Sequence, residues 1–243
     1  MASIDSITSS DFLKALTRTQ TDLNITIGEL RPLTEELYDK TLEVLYDCFL
    51  NDDPLTVGLG QKWSQTYKDV WIGAFKDNLS FVLVNKENGD VMGVRLIKGL
   101  KRGTREGSMN VDEFEPGPLK ELVRILQRGY ELSRFFERFD AMEAFQFWGL
   151  CVPKKYRQRG IATLMIQSAI KLIENLGFQS FYIRGGASNN YSKKIYENLG
   201  FEILAEIEYD TYTVDGEHIL KGKTGDNKSM KEYMLYKTLD KHQ

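Results

Sequence analysis

The sequence predicts an α/β (α+β) fold in which helices cover both faces of a mixed, largely antiparallel β-sheet. Three observations lead to this prediction. An apolar run over residues 145–152 has the length of a buried strand, and apolar residues then recur with helical spacing over residues 161–173. Two further apolar runs flank residues 86–90, where an Asn-Gly pair is typical of a β-hairpin turn. Apolar and polar residues alternate over residues 203–214, which indicates another strand.

The N-terminal part of the chain begins with polar residues. Residues 1–22 are expected to form an arm that contains a short helix capped by Ser10. The next elements follow from alternation, helical spacing and proline signals. They are a strand over residues 23–30, a helix over residues 32–53 that Pro54 ends, and an amphipathic segment over residues 56–75.

The C-terminal part begins with residues 99–118, which are rich in charge, Gly and Pro and are predicted to form a loop. The wide apolar face of residues 118–139 predicts a long amphipathic helix, which more often belongs to a core than to a ligand site. The remaining elements follow the strand and helix at 145–173. They are a strand at 181–184, a short helix that ends at 198–200, a strand over 203–214 and a last strand at 233–239.

The length of 243 residues is long for one small domain and short for two. We therefore predict a single enlarged domain over residues 23–243 after the arm, with a helical insertion at about 99–139. The net charge of −3 gives no general attraction to nucleic acid or to an anionic membrane. Phosphate binding is therefore expected only at a local site.

The two cysteines, Cys48 and Cys151, show no spacing that suggests a metal site or a disulfide framework. We expect no bound metal and a reducing compartment. The N-terminus has no basic start followed by an apolar run, and no window approaches the roughly 18 apolar residues that a membrane-spanning helix needs. The expectation is a cytoplasmic protein that does not associate with a membrane.

A polar turn over residues 153–160 joins the predicted strand and helix at 145–173. The first amides of that helix lack intrahelical partners, and the helix dipole adds partial positive charge there. Arg157 and Arg159 add two cations, while Gly160 and the small Ala162 permit a diphosphate to approach the backbone. The alternative is an ordinary strand-to-helix connection with a solvated basic tip.

Two motifs resemble those of the GNAT N-acetyltransferase superfamily. The first is Arg157-x-x-Gly160-x-Ala162, which is similar to the acetyl-CoA motif Gln/Arg-x-x-Gly-x-Gly/Ala. The second runs from Asn189 to Phe201 and resembles Asn-x-x-small-x-x-apolar-Tyr-x-x-x-Gly-Phe. The other common phosphate-binding loops, G-x-x-x-x-G-K-S/T and G-x-G-x-x-G, do not occur near the turn.

The resemblance implies a seven-stranded sheet in which the strand at 145–152 splays from its neighbour and admits the pantetheine arm of acetyl-CoA, the acyl donor. Backbone groups of this strand and of the turn are then expected to bind the donor. For Leu150 and Val152, plain core packing is the alternative. The expected cofactor-binding residues are Leu150, Cys151, Val152, Arg157, Gln158, Arg159, Gly160, Ile161, Ala162, Asn189 and Tyr196.

Tyr196 occupies the position in the second motif where many members of the superfamily have a tyrosine that protonates the leaving thiolate. A phenol with a pKa near 10 is suited to this step. The alternative is a core tyrosine with its hydroxyl at the edge. Asn189 resembles the asparagine that contacts the cofactor, with helix N-capping as its alternative.

The attacking amine must lose a proton, but the two histidines, His218 and His242, lie in a late loop and at the C-terminus. Residues 52–55, Asp-Asp-Pro-Leu, resemble the Asp-Glu-Pro-Leu turn of the insect and nematode arylalkylamine N-acetyltransferase-like group, whose glutamate is catalytic. Asp53 takes that position with a side chain one methylene shorter, which favours action through a bridging water. The adjacent carboxylates are expected to raise each other's pKa. A solvated aspartate that ends the helix is the alternative.

Ser188 and Ser192 resemble a serine pair that some of those enzymes place beside the thioester, and both are predicted to be catalytic. Helix capping is the alternative for Ser188, and filling of a small-residue position is the alternative for Ser192. Glu143 is a second candidate base, with surface exposure as its alternative. Residues 209–216 resemble the Tyr-x-x-Tyr-x-x-x-Gly hairpin of that group, so the resemblance covers most of residues 25–240. It implies that the insertion at 99–139 covers the acceptor site.

These features predict an acetyl-CoA-dependent N-acetyltransferase that acts on a small primary amine by direct attack in a ternary complex. An arylalkylamine is the expected acceptor, while polyamines, amino acids and protein lysines stay open. The alternative is a non-catalytic acyl-CoA-binding or sensing module that lacks an effective base. A monomer and a homodimer are both consistent with the sequence.

Overall fold

The computed structural model describes residues 3–77, 79–103 and 109–239. Within these ranges, seven strands form one sheet in the order β1-β2-β3-β4-β5-β7-β6, and only the pair β4–β5 is parallel. This arrangement confirms the mixed, largely antiparallel sheet and the seven strands that the resemblance implied. The strands are β1 (Glu29–Pro32), β2 (Phe81–Val84), β3 (Val91–Lys101), β4 (Glu143–Cys151), β5 (Ser180–Ala187), β6 (Glu202–Glu208) and β7 (Ser229–Thr238).

Eight α-helices lie within the described residues, on both faces of the sheet. They are α1 (Ser9–Asp22), α2 (Glu35–Leu45), α3 (Pro54–Leu59), α4 (Gln65–Phe75), α5 (Pro118–Ser133), α6 (Phe135–Phe139), α7 (Ile161–Asn175) and α8 (Asn190–Asn198). Side chains alternate along β2: Leu83 packs with α1 and α7, whereas Val82 and Val84 pack with α2 and α4. The sheet therefore separates two cores. No helix in the described ranges has the length and apolar character needed to cross a membrane.

The N-terminal segment differs from the prediction. Residues 9–22 form α1, and Thr8 rather than Ser10 caps it, since the Asp11 amide donates to the Thr8 hydroxyl at 3.1 Å. Phe12 and Leu16 are buried in the same core as α7. The prediction that residues 9–22 belong to a polar arm is therefore wrong, because one face of α1 is apolar and covers part of the sheet.

Several element bounds also differ from the predictions. The predicted first strand at 23–30 is mostly wrong, because β1 shares only residues 29 and 30 with it. The amphipathic segment at 56–75 is two helices, α3 and α4, and Gly60 in a left-handed conformation ends the first of them. β3 extends to Lys101 into the predicted loop, because Gly99 and Lys101 pair with β4. Residues 104–108 of the predicted insertion lie outside the described residues.

β4 and β5 pair over three positions only, and the last of these is Phe147 opposite Gly185. Beyond that position β4 pairs with β3 alone, through Leu150 and Cys151, while β5 pairs with β7 alone. The two parallel strands therefore part at Phe147 and Gly185, and an opening follows between them. We call this point the apex. The divergence that the resemblance implied is confirmed.

Candidate active site

The turn between β4 and α7 has the geometry of an anion-binding site. Residues 154–156 form a short 3₁₀ helix, and Gly160, which precedes α7, has a left-handed φ of +75°. The Leu164 amide donates to the Gly160 carbonyl at 3.0 Å, so the amides of residues 161–163 point out of the helix end. A β-carbon on Gly160 would meet no atom within 4 Å. The surface at Gly160 is therefore open to a ligand.

The two arginines of the turn have different surroundings. Nε of Arg157 donates to the Val152 carbonyl at 2.8 Å, and its Nη2 donates to the Asp52 carboxylate at 2.7 Å. Arg159 is exposed, with its guanidinium 5.6 Å from the ring centre of Tyr156, and forms no ion pair within the described part of the chain. Arg157 therefore holds the turn to the protein body, whereas Arg159 is the cation that faces solvent.

The last residues of β4 border the opening between β4 and β5. The side chains of Leu150 and Val152 pack in the core beside α7, and that of Cys151 packs in the opposite core together with Cys48. Core packing therefore accounts for all three side chains. The main-chain edge of β4 that faces the opening has no pairing with β5 beyond Phe147, although the Val152 carbonyl accepts from Arg157.

Asp53 and Ser188 meet at the end of β5. Asp53 begins α3 as its N-cap, where Oδ1 accepts from the Leu55 amide at 3.1 Å. Its other oxygen, Oδ2, accepts a hydrogen bond of 2.9 Å from the Ser188 hydroxyl. The aspartate is only 8% exposed, so the alternative of a solvated residue that ends a helix is wrong. The structure thus joins two of the predicted catalytic residues.

Burial raises the pKa of Asp53 to about 6, and hydrogen bonds from Ser188 and from the backbone of residues 55 and 56 limit the rise. A rise in the pKa of Asp53 was expected from the sequence, with the adjacent Asp52 carboxylate as its cause. That cause is wrong, because Asp52 is paired with Arg157 and with Lys154 at 3.3 Å. A carboxyl group with a pKa near 6 gains and loses its proton close to neutral pH, as a general base must.

Tyr196 lies inside the fold beside the apex. The residue is 2% exposed, and its ring stacks on that of Tyr233 with centroids 5.0 Å apart and an interplanar angle of 7°. A β-carbon on Gly185 would lie 2.5 Å from the Tyr196 hydroxyl oxygen. The ring is therefore a core residue, as the alternative predicted, while the hydroxyl lies where β4 and β5 part.

Asn189 and Ser192 are engaged with each other at the start of α8. The Asn189 side chain accepts hydrogen bonds from the Ser192 amide at 2.9 Å and from the Ser192 hydroxyl at 3.0 Å. Asn189 is therefore a helix N-cap, as its alternative predicted. The structure does not bring the Ser192 hydroxyl to Asp53, and a catalytic role for Ser192 stays a prediction.

The other candidate proton acceptors lie elsewhere. Glu143 is at the opposite end of β4 from the opening, where its carboxylate accepts from the hydroxyl of Ser3 at 3.0 Å and from the amide of Ile4 at 3.2 Å. It is therefore partly buried in a structural contact rather than free at the surface. His218 is exposed in the loop between β6 and β7, and His242 lies outside the described residues.

Sequence reasoning missed the positions of Tyr209 and Arg95. The Tyr209 hydroxyl donates to the Ser188 carbonyl at 2.6 Å and so holds the residue that binds Asp53. In the sequence, Tyr209 is recognisable only as the first tyrosine of the hairpin motif at residues 209–216. Arg95 interrupts the apolar run of β3 and is 1% exposed. The signal that could have identified Arg95 is a charged residue inside a buried strand, because arginine is almost never fully buried unless it is paired.

The matching family model is described as the acetyltransferase (GNAT) family, and the match covers residues 42–201. The matched region includes Asp53, the turn before α7 and the motif that contains Tyr196. The chain belongs to this family. It is therefore an N-acetyltransferase by class, and acetyl-CoA is the acyl donor of the family.

Several solved structures share the fold. An arylalkylamine N-acetyltransferase 2 from Aedes aegypti is 23% identical, with a TM-score of 0.77 over 87% of this chain and 99% of that one. An agmatine N-acetyltransferase is 13% identical, with a TM-score of 0.77 over 87% of this chain and 100% of that one. A polyamine N-acetyltransferase from Drosophila melanogaster, which forms N-acetylagmatine, is 14% identical, with a TM-score of 0.75 over 86% and 99%. These similarities concern the fold alone.

Proposed function

We propose that this protein acetylates a small primary amine, with an arylalkylamine as the preferred acceptor, by direct attack on acetyl-CoA in a ternary complex. The observation that carries the proposal is the buried Asp53 carboxyl group, which Ser188 holds at the end of β5 with a pKa of about 6. A buried base near neutral pH fits a reaction that must deprotonate an amine.

The donor is proposed to lie across the turn and along the opening between β4 and β5. The free amides at the start of α7, the open space at Gly160 and the exposed Arg159 suit its diphosphate. Main-chain groups of Leu150 and Val152 suit the amides of its pantetheine arm. The same proposal covers the remaining predicted contacts of Cys151, Gln158, Ile161, Ala162 and Asn189.

In the proposed mechanism, the carboxylate of Asp53 accepts the proton of the amine, directly or through a water. The amine nitrogen then bonds to the acetyl carbon, and the carbon–sulfur bond breaks with its electron pair on sulfur. The hydroxyl of Tyr196 gives that sulfur its proton. Backbone amides of β4 stabilise the charge that develops on the carbonyl oxygen.

The choice of an aromatic acceptor is supported by a cluster of rings beside Asp53. We call Phe49, Tyr67, Trp71 and Trp148 the aromatic cluster. The ring of Trp71 lies 4.7 Å from Phe49, 5.8 Å from Tyr67 and 5.0 Å from Trp148. The Thr56 hydroxyl of α3 donates to the Phe49 carbonyl, and the charge of Asp53 adds to the rise that burial causes in the pKa of Tyr67. Both observations support a position of the cluster near the Asp53 carboxyl group. Such rings can pack edge to face against an aromatic acceptor, which supports an arylalkylamine.

Contacts between α3 and α5 suggest which helices cover the proposed acceptor site beside Asp53. Leu55, two residues after Asp53, is buried in one cluster with Ile125 of α5. We propose that α5 and α6, within the predicted insertion at 99–139, cover the acceptor site. We propose a single enlarged domain, as predicted for residues 23–243, but with α1 added to it because Phe12 and Leu16 lie in the same core.

The test is release of coenzyme A from acetyl-CoA by the purified protein with tryptamine, phenylethylamine, agmatine, spermidine and a lysine peptide. The arylalkylamines are expected to give the highest kcat/KM. Asp53→Asn is expected to lower kcat by roughly 100-fold, and Asp47→Asn, a half-buried aspartate in the preceding helical turn that bonds to Asn51 rather than to Ser188, serves as the control. Asp53→Glu, which restores the residue of the related group, is expected to keep activity.

Two results would contradict the proposal. A higher kcat/KM for agmatine or spermidine would move the acceptor to the polyamines while keeping the reaction. Binding of acetyl-CoA in calorimetry without turnover on any amine would favour the sensing module instead.

A further inference from the structure

Arg95 is a buried cation that the proposed mechanism has not used. It lies on β3 opposite Leu150 of β4, and its guanidinium is 4.2 Å from the ring centre of Phe147. Within the described ranges, its Nε and Nη2 atoms find no hydrogen-bond partner. Burial of a charged group without full pairing is unfavourable, so neighbouring groups must compensate the charge of Arg95.

Arg95 and Tyr196 converge on the apex. Phe147, which carries the guanidinium on its ring, pairs with Gly185, and the Tyr196 hydroxyl lies over Gly185. The absence of a side chain at Gly185 makes this approach possible, since a β-carbon there would be 2.5 Å from the hydroxyl oxygen. Tyr233 and Phe201 hold the tyrosine ring from two sides, with centroids 5.0 Å and 4.7 Å away.

The electrostatic surroundings of Tyr196 come from three neighbouring groups. Burial raises the pKa of Tyr196, the positive charge of Arg95 on β3 lowers it, and the charge of Glu232 on β7 raises it. Tyr233, also on β7, has its own pKa raised by burial and by Glu197, so it stays a neutral phenol. Arg95 is thus the cation that favours the phenolate form of Tyr196.

We propose that Arg95 is a positioning residue for the acetyl transfer, which holds the Tyr196 hydroxyl at the apex and stabilises the phenolate that this residue becomes. The inference rests on the proposed function. When the carbon–sulfur bond breaks, the sulfur takes the phenolic proton, and the negative charge moves to the Tyr196 oxygen beside the guanidinium. The phenolate then regains a proton from solvent, and the proton accepted by Asp53 leaves to solvent.

A double-mutant cycle with Arg95→Met and Tyr196→Phe tests the link through kcat. Arg95→Met is expected to lower kcat roughly tenfold and to leave the KM for acetyl-CoA unchanged. In the Tyr196→Phe background, the same change is expected to have no further effect on kcat, because no phenol remains to be stabilised. Equal losses in the two backgrounds would overturn the inference, since Arg95 would then act without Tyr196.

A direct readout is the titration of Tyr196 by NMR with tyrosine labelled at Cζ, its resonance assigned by its loss in Tyr196→Phe. In Arg95→Met this resonance is expected to titrate at higher pH than in the wild type. Lys98→Met is the matched control on β3, because the Lys98 ammonium lies 3.6 Å from Asp77 and 5.4 Å from the Trp148 ring centre. An unshifted resonance in Arg95→Met would overturn the inference.

The two proposals fail in different ways. If Tyr196→Phe keeps the wild-type kcat, the acid role of Tyr196 is wrong and the catalytic part of the inference falls with it. If Tyr196→Phe lowers kcat but Arg95→Met leaves both kcat and the resonance unchanged, only the role of Arg95 is wrong. Arg95→Gln removes the charge but keeps a polar side chain, and it is measured in the same way, with the same expected results, if the methionine variant does not fold.

Discussion

The hydroxyl of Ser188 donates a hydrogen bond of 2.9 Å to Oδ2 of Asp53, and these two residues are 135 positions apart in the chain. The contact joins the start of α3 to the end of β5. It favours the charged form of Asp53 and opposes the effect of burial, which raises the pKa of that carboxyl to about 6. Ser188 therefore tunes the base as well as holding it.

The first prediction concerns the pH dependence of kcat. A base acts only when it is deprotonated, so kcat is expected to rise as the pH increases through about 6. In Ser188→Ala, loss of the hydrogen bond removes an influence that lowers the pKa of Asp53, and the rise is expected to move to higher pH by about one unit. Steady-state rates at saturating amine and acetyl-CoA measure this shift.

Ser192→Ala provides the control for this experiment. The Ser192 hydroxyl bonds to Asn189 at 3.0 Å rather than to Asp53, so the pH at which kcat rises is expected to stay unchanged. If Ser188→Ala and Ser192→Ala gave the same pH profile as the wild type, Ser188 would have no influence on the base.

A second prediction compares two glycines that flank α7. Gly160 and Gly177 have φ values of +75° and +86°, and a β-carbon on either would meet no atom within 4 Å. Valine at either position is expected to lower the free energy of unfolding by about 2 kcal/mol, because of backbone strain alone. Only Gly160→Val is expected to weaken acetyl-CoA binding, by roughly tenfold or more, since a branched side chain blocks the proposed diphosphate site.

Calorimetric titration with acetyl-CoA and urea denaturation measure these two effects. Equal affinity in the two valine variants would show that the ligand does not approach Gly160. It would remove the main support for donor binding at this turn.

The third prediction separates the two arginines of the turn. Arg159→Ala is expected to weaken acetyl-CoA binding several-fold at low salt without a change in Tm, because Arg159 is exposed and pairs with no carboxylate in the described part of the chain. The loss is expected to shrink as salt increases, since ions screen exposed charges over about 10 Å at 0.1 M. Binding measured across a range of salt concentrations checks the prediction.

Arg157→Ala is expected to behave differently. Its guanidinium holds the Val152 carbonyl and the Asp52 carboxylate, so its loss is expected to lower Tm as well as affinity. A pure loss of affinity with wild-type Tm in Arg157→Ala would contradict the structural role assigned to this residue.

The fourth prediction concerns α1. Leu16 is 1% exposed beneath the helix, whereas Leu13 is 52% exposed on its outer face. Leu16→Ala is expected to lower the free energy of unfolding by about 3 kcal/mol, because it leaves a cavity beside α7. Leu13→Ala, as the matched control, is expected to change it by less than about 0.5 kcal/mol. Similar values for both variants in urea denaturation would mean that α1 does not belong to the core.

Much of the fold was predictable from local signals. The hairpin at residues 86–90, the strand β4 and the helix α7 follow from patterns that lie within a few residues of each other. The motif around Gly160 also placed the turn correctly, since the order of residue types reports directly on backbone geometry there. The packing of α1 against the core could not be predicted in this way, because its polar residues outnumber the few apolar side chains that it buries.

The sequence by itself determined the chemistry available to this protein: the glycine and arginines of the turn, the phenol of Tyr196 and the carboxyl group of Asp53. Only the tertiary structure decided which of these groups meet and in what surroundings. The Asp53–Ser188 contact, the burial that sets the pKa of Asp53, and the approach of Arg95 to Tyr196 depend on how helices α3 and α8 pack against the strands of the sheet. The reason is physical: desolvation and hydrogen bonding between distant residues arise from packing, and no local pattern encodes them.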